Sequence, residues 1–142
     1  AYSAVFVLVL LDFRSLKRTI IALMPHIIGI IWMMGVMEVL GMKLNYMNIA
    51  IVPLIVGMGI DNGVHILHRY FEDGRQDIPN IIFHTGRAVV MCTATTMAGF
   101  GSLVFSRYGG LSSMGAVANI GMITSLIAAI VVLPALLKIW KV

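Results

Sequence analysis

"VGMGIDNGVHILHRYFED", residues 56–73, decides the fold, because two opposite structures can be read from it. Asn62-Gly63 after an acid is the dipeptide that opens tight β-hairpins, which would set Asp61 at a wet turn. The alternative keeps Asp61 inside a long apolar helix, where an ionised carboxylate is costly and needs a purpose. The flanks choose between them. A hairpin would make residues 44–60 one apolar strand, far beyond the usual length of about five or six residues. A helix over 45–69 covers about 37 Å at about 1.5 Å per residue, enough to cross an apolar core of about 30 Å with tilt. The helix is therefore expected, with Asp61 a little past its middle.

Composition points the same way. Of 142 residues, 60% are hydrophobic and only 11% charged, and the mean hydropathy is +0.99. A soluble domain carries about a quarter charged residues. That much apolar surface exceeds what one water-soluble core can bury, so an all-α membrane protein is expected. Five apolar runs predict spans at about 1–11, 19–40, 45–69, 88–106 and 110–137, in a single transmembrane domain over 1–142. The opening "AYSAVFVLVLL" starts in mid-run without a basic leader, so it reads as a truncated span of something larger, not a signal peptide. In "DIPNIIFHTGR", Pro79 suits a first helical turn, and Ile78, Ile81 and Ile82 share a face. A short interfacial helix over about 79–86, bending at Gly86 into the next span, is expected. Gly109-Gly110 is expected to form a tight turn.

The ten basic residues lie singly or in short loops, a pattern of topology and not of nucleic-acid binding. Arg14, Lys17, Arg18, Arg69, Arg75, Arg87, Lys138 and Lys141 fall in one set of alternating loops; Lys43 and Arg107 fall in the other. That asymmetry places the N-terminus outside and the C-terminus in the cytoplasm of a multi-pass protein. The single cysteine, Cys92, excludes a disulfide framework or a cysteine metal site within the chain. No GxxxxGK[ST] phosphate loop is present.

Among candidate functional residues Asp61 stands first, as the one acid well inside a span; Glu38 and Asp12 lie at span ends. Such an acid is suited to taking up and releasing a proton, whereas its bland role is a structural contact to a neighbouring helix. His65 and His68 follow it one and two turns later on the same face. His65 either extends a proton path towards the cytoplasm or marks the headgroup level, and His68 beside Arg69 reads as interfacial. Asn62, Thr93, Thr96 and Asn119 are possible neighbours of Asp61; the threonines serve equally well bonded to their own backbone. Gly57, Gly59 and Gly63 read as helix-packing positions, Gly59 and Gly63 forming a GxxxG pair. "GMGID" is near the GxGD of intramembrane aspartyl proteases, but the acid is displaced by one and a second mid-span aspartate is absent. No enzyme is expected. The eleven methionines read as adaptable filling.

Three stretches carry a family resemblance: "GMGIDNGVHILHRYFED" (57–73), "HTGRAVVMCTATTMAGFGSLVFS" (84–106) and "LSSMGAVANIGMITSLIAAIVVLPALL" (111–137). Together they cover over half the chain, with a GxxxD in the second complete span and "TT…GFGSL" in the next. The chain resembles the RND superfamily, specifically its MMPL branch, which includes lipid exporters and hopanoid transporters. The resemblance implies a five-helix bundle, shared with sterol-sensing domains, forming one transmembrane half of an exporter. The end soon after "PALLKIW" fits the C-terminal half, with the N-terminal half as the alternative.

By the same resemblance Asp61 is the proton-relay aspartate, although Asn62 stands where many members carry Tyr. The implied function is proton-driven export of lipids or other hydrophobic compounds across a bacterial inner (plasma) membrane. No cofactor is implied beyond the coupling ion, which is the proton, or alternatively sodium held by Asp61, Asn62 and a threonine. The implied partners are the other transmembrane half, periplasmic domains, the cargo and membrane lipids. A lipid sensor or scaffold built on the same bundle is the rival reading.

Overall fold

The computed structural model describes residues 2–43, 45–72 and 78–140. Five helices follow one another: α1 (Tyr2–Phe13), α2 (Leu16–Val39), α3 (Tyr46–Glu72), α4 (Ile78–Val104) and α5 (Gly109–Trp140). No strand occurs among the described residues. This is the architecture that lipid imposes, since a helix satisfies its own backbone N–H and C=O groups. α2, α3, α5 and the Phe83–Val104 part of α4 are long and apolar enough to cross a membrane. α1, with 12 residues, is apolar but shorter than these four.

Residues 61–63 continue α3 without a break, so the hairpin reading fails and the helical one holds. Two other expectations are corrected. Residues 79–86 are not a separate helix but the opening turns of α4, which runs unbroken through Gly86. An internal glycine weakens a helix by only about 1 kcal/mol, too little to break one by itself, and Gly86 is buried here. Nor do Gly109-Gly110 form the outer turn. They begin α5, and residues 105–108 make the connection. Gly110 lies close to Met47, whose Cγ would be 3.1 Å from an added Cβ, so the small residue there serves helix approach and not a turn.

α2 ends in a two-bond cap. Gly41 takes φ +64, its N–H reaches Glu38 O at 3.0 Å, and the Met42 N–H reaches Met37 O at 2.9 Å. A residue with a Cβ is disfavoured in that left-handed conformation. At the other end only Arg14 and Ser15 separate α1 from α2.

α5 is the central helix, packed against α2, α3 and α4, while α1 lies on α2 and α3. It is apolar around most of its circumference, as a helix enclosed by others should be. α4 is peripheral: 11% of its spanning window is buried, against 44% for α2 and α5. Two apolar clusters fill the bundle. Ile21, Val56, Ile60, Leu67, Tyr70 and Leu133 lie in one, and Met33, Met37, Ile51, Ile55, Val117 and Met122 in the other.

Cross-links at the two ends establish the order of the termini. At one end His68 of α3 meets Asp12 of α1, and Arg18 of α2 lies 4.2 Å over the Phe71 ring of α3. At the opposite end Ser113 of α5 donates to Asn48 Oδ1 of α3 at 2.9 Å. Successive spans therefore alternate in direction. Arg14, Lys17, Arg18, Arg69, Arg87 and Lys138 belong to the first end, and Lys43 and Arg107 to the second. Arg75 and Lys141 lie outside the described residues.

Candidate functional site

α3 presents different chemistry on different faces. On one face Gly59 and Gly63 allow close approach. A Cβ at Gly59 would overlap the His26 ring and Ser125 Oγ, and one at Gly63 would lie 3.0 Å from Ala22 O. Both glycines therefore seat α3 against α2, with α5 added at Gly59. Gly57 does not share that task, because nothing lies within 4 Å of its added Cβ. Its expected packing role finds no partner among the described residues, where it lines an open groove.

Asp61 projects from another face, where it is exposed in this chain and not enclosed by neighbouring helices. Among the described residues no side chain hydrogen-bonds to it. It stands between two clefts. The larger, about 720 Å³, lies between α3 and α4 and includes Asp61, Asn62, His65, His68, Thr93 and Thr96. The smaller, about 590 Å³, lies between α1 and α3 and is apolar apart from Asp12 and Asp61. The shared wall follows from sequence spacing. Gly57 and Asp61 are one turn apart and face α1, while Asp61, His65 and His68 continue along the stripe facing α4.

The expected neighbours divide. Thr93 is buried, and its hydroxyl donates to Asn62 Oδ1 at 3.4 Å, a long bond that ties α4 to the residue after Asp61. Thr96 lines the same cleft, but its hydroxyl donates to Cys92 O of its own helix at 3.0 Å. Asn119 is not brought to Asp61. Its amide donates to Gly115 O at 2.8 Å, one turn back on α5, and it is absent from the lining of the cleft. α5 meets α3 through its other face, where Met122 and Ser125 point.

His65 is exposed and lines the larger cleft. His68 Nε2 lies 2.6 Å from Asp12 Oδ2, and its ring stacks on Phe13 with centroids 4.7 Å apart. Arg69 and Glu72, 3.7 Å apart, stand at the end of the same cleft. A row of ionisable groups thus runs from mid-span to the end of the bundle.

Three features were missed from the sequence. His26, an ionisable residue in the apolar run 19–37, is buried with its Nδ1 3.2 Å from Ser125 Oγ. The Ser125 hydroxyl donates to Gly59 O at 3.3 Å, so Nδ1–H is the donor to Ser125. A histidine within a span was the available signal. Asn48, fully buried, donates to Lys43 O at 3.1 Å and accepts from Ser113. Asp12 as the partner of His68 had no local signal, because the two are separated by 56 positions.

The fold and this site define a class first: a multi-pass helical membrane bundle with an acid at mid-span opening onto a cleft that holds ionisable and hydroxyl side chains. The chain matches the MMPL family model over residues 1–140 and belongs to the MMPL family. It is 33% identical to a membrane protein of Methanocaldococcus jannaschii over 141 residues, covering 95% of this chain and 36% of that protein. It is 28% identical to a hopanoid transporter of Burkholderia multivorans over 142 residues, covering 96% of this chain and 16% of the relative. With a hopanoid transporter of Rhodopseudomonas palustris it shares 35% identity over 103 residues, 68% of this chain and 12% of that protein. The chain therefore spans only a minor part of each of these relatives. No solved structure matches it.

Proposed function

We propose that this chain is a transmembrane half of a proton-driven exporter of lipids or other hydrophobic compounds, with Asp61 as the proton-carrying residue. The observation that carries the reading is the placement of Asp61: at mid-span, exposed to two clefts, with no side-chain bond among the described residues. An acid there takes up a proton from one side and yields it to the other as the bundle shifts. Neutralising it removes the cost of a charge at that depth and biases the bundle between two packings. One charge crossing 100 mV supplies about 2.3 kcal/mol, on the scale of such a bias. The proton is the coupling ion, and the only bonds made or broken are those to the transferred proton.

Membership of the MMPL family and two relatives named as hopanoid transporters support an apolar cargo. The small share of those relatives that the chain covers supports partners within one transporter: a second transmembrane half and periplasmic domains. The basic end of the bundle is assigned to the cytoplasm of a plasma membrane by its charge.

The test is Asp61→Asn in the complete transporter, which removes the titratable proton at nearly constant volume. Expression and insertion persist, and proton-coupled export is lost. Export by the Asn variant at the wild-type rate, at matched protein level and under a proton gradient, overturns the assignment.

A further inference from the structure

Asp61 is only the inner end of a longer arrangement. The α3–α4 cleft extends from Met58 and Thr96 near mid-span to Arg69, Glu72 and Thr85 at the basic end. From Met58 to Glu72 that is about 21 Å along α3 at about 1.5 Å per residue. Along it, Asp61, His65 and His68 recur at intervals of four and three residues, which places successive Cβ atoms about 5–6 Å apart on one stripe. A separation of that size suits a single bridging water. The last histidine is bonded to Asp12 of α1, and both are about half exposed.

We infer that the α3–α4 cleft is a water-filled proton path joining Asp61 to the basic face of the bundle, with His65 as intermediate carrier and the His68–Asp12 pair as its outlet. The inference rests on Asp61 as the proton-carrying residue and adds the route to it. The step balances without any other reactant. The neutral Asp61 carboxyl gives its proton, through one water, to the neutral His65 imidazole, leaving a carboxylate and an imidazolium. The imidazolium then releases the proton from its other ring nitrogen towards His68, and from there it passes to bulk water beside Asp12. No electron moves, and loading is the reverse sequence.

Histidine is the side chain suited to this, since it alone changes charge between about pH 5 and 8 without special perturbation. Among the described residues, the other titratable and charged groups facing the route are Arg69 and Glu72 of α3, Asp12 of α1 and Cys92 of α4. Arg18 of α2 stands over Phe71 behind the outlet. Thr93, Thr96 and Asn62 supply neutral polar lining near Asp61.

The test uses the complete transporter in lipid vesicles holding a pH-sensitive dye, with proton flux read between pH 5.5 and 8. His65→Gln keeps a polar side chain of similar reach and cannot carry a proton at these pH values. It is expected to slow flux by about tenfold or more, towards the loss seen when a proton-transfer group is removed. Imidazole added on the side of the basic end should restore most of that rate, since the cleft admits a molecule of that size. Asp61→Asn should abolish flux, and imidazole should not restore it.

Cys92 offers a native probe of the route. A small cationic thiol reagent that does not cross lipid should modify it from the basic side and not from the other. Wild-type flux in His65→Gln, with Asp61→Asn inactive, overturns the path and leaves Asp61 as the carrier. A slow His65→Gln that imidazole does not restore makes His65 structural and overturns the path as well. So does a Cys92 that stays unmodified from the basic side. Wild-type flux in Asp61→Asn removes the underlying function itself.

Discussion

Two glycines on the same helix, two positions apart, should respond differently to alanine. Gly57→Ala adds a methyl group where nothing lies within 4 Å, so only backbone effects remain. Alanine is better than glycine in a helix by about 0.8–1.0 kcal/mol, so this variant should be neutral to stabilised by up to that amount. Gly59→Ala receives the same helical gain but places its methyl on the His26 ring and Ser125 Oγ. The ring cannot swing away cheaply, because His26 is buried and bonded to Ser125, which is bonded in turn to the Gly59 carbonyl. Overpacking of this kind costs about 1–3 kcal/mol. The net effect at Gly59 runs from about zero to about 2 kcal/mol of destabilisation. The two variants should therefore differ by about 1–3 kcal/mol.

Unfolding by a denaturing detergent titrated into mild micelles, followed by tryptophan fluorescence, reads that difference directly. His26→Ala in the Gly59→Ala background should recover part of the loss, because it vacates the space the methyl needs. Refutation is simple to state: a Gly59→Ala protein as stable as Gly57→Ala would mean that α3 does not approach α2 and α5 as described.

Further outcomes follow from other contacts. Asn48→Leu removes the amide that bonds Lys43 O and Ser113 Oγ in a fully buried position. It should cost about 1–3 kcal/mol in the same titration, and no measurable change would show that this node is not formed. Asp12→Asn breaks a pair whose members are 48% and 44% exposed, so stability should move by less than about 1 kcal/mol. A larger loss would identify the pair as a structural clamp. With Cys92 replaced by Ala, cysteines at Lys43 and Arg107 should label from outside intact cells, and one at Arg14 should not. Labelling of the Arg14 position from outside would invert the orientation drawn from the basic residues.

Much of the architecture was legible from the residues alone. Span length, helix type and alternation follow from two quantities that act locally: apolar transfer energy summed over a run, and the need to satisfy backbone groups in lipid. Asp61 was equally visible, because a charge inside such a run carries its own penalty wherever the helix is packed. Even the Asn62-Gly63 ambiguity yielded to the length of its flanks. The family resemblance resided in local motifs, so it too was available before any coordinates.

What the tertiary structure alone decided was which face of each helix meets which neighbour. Gly57 and Gly59 are indistinguishable as letters, yet one borders an open groove and the other seats a histidine from α2. Asn119 looked like a mid-span polar neighbour of Asp61, but rotation of α5 turns its amide to Gly115. Asp12 became the partner of His68 only through the return of α1 along α3. Helical periodicity assigns residues to stripes but leaves the rotation of each helix about its own axis undetermined. That rotation is set by close contact between side chains far apart in the chain, and it turned an isolated acid into the head of a lined cleft.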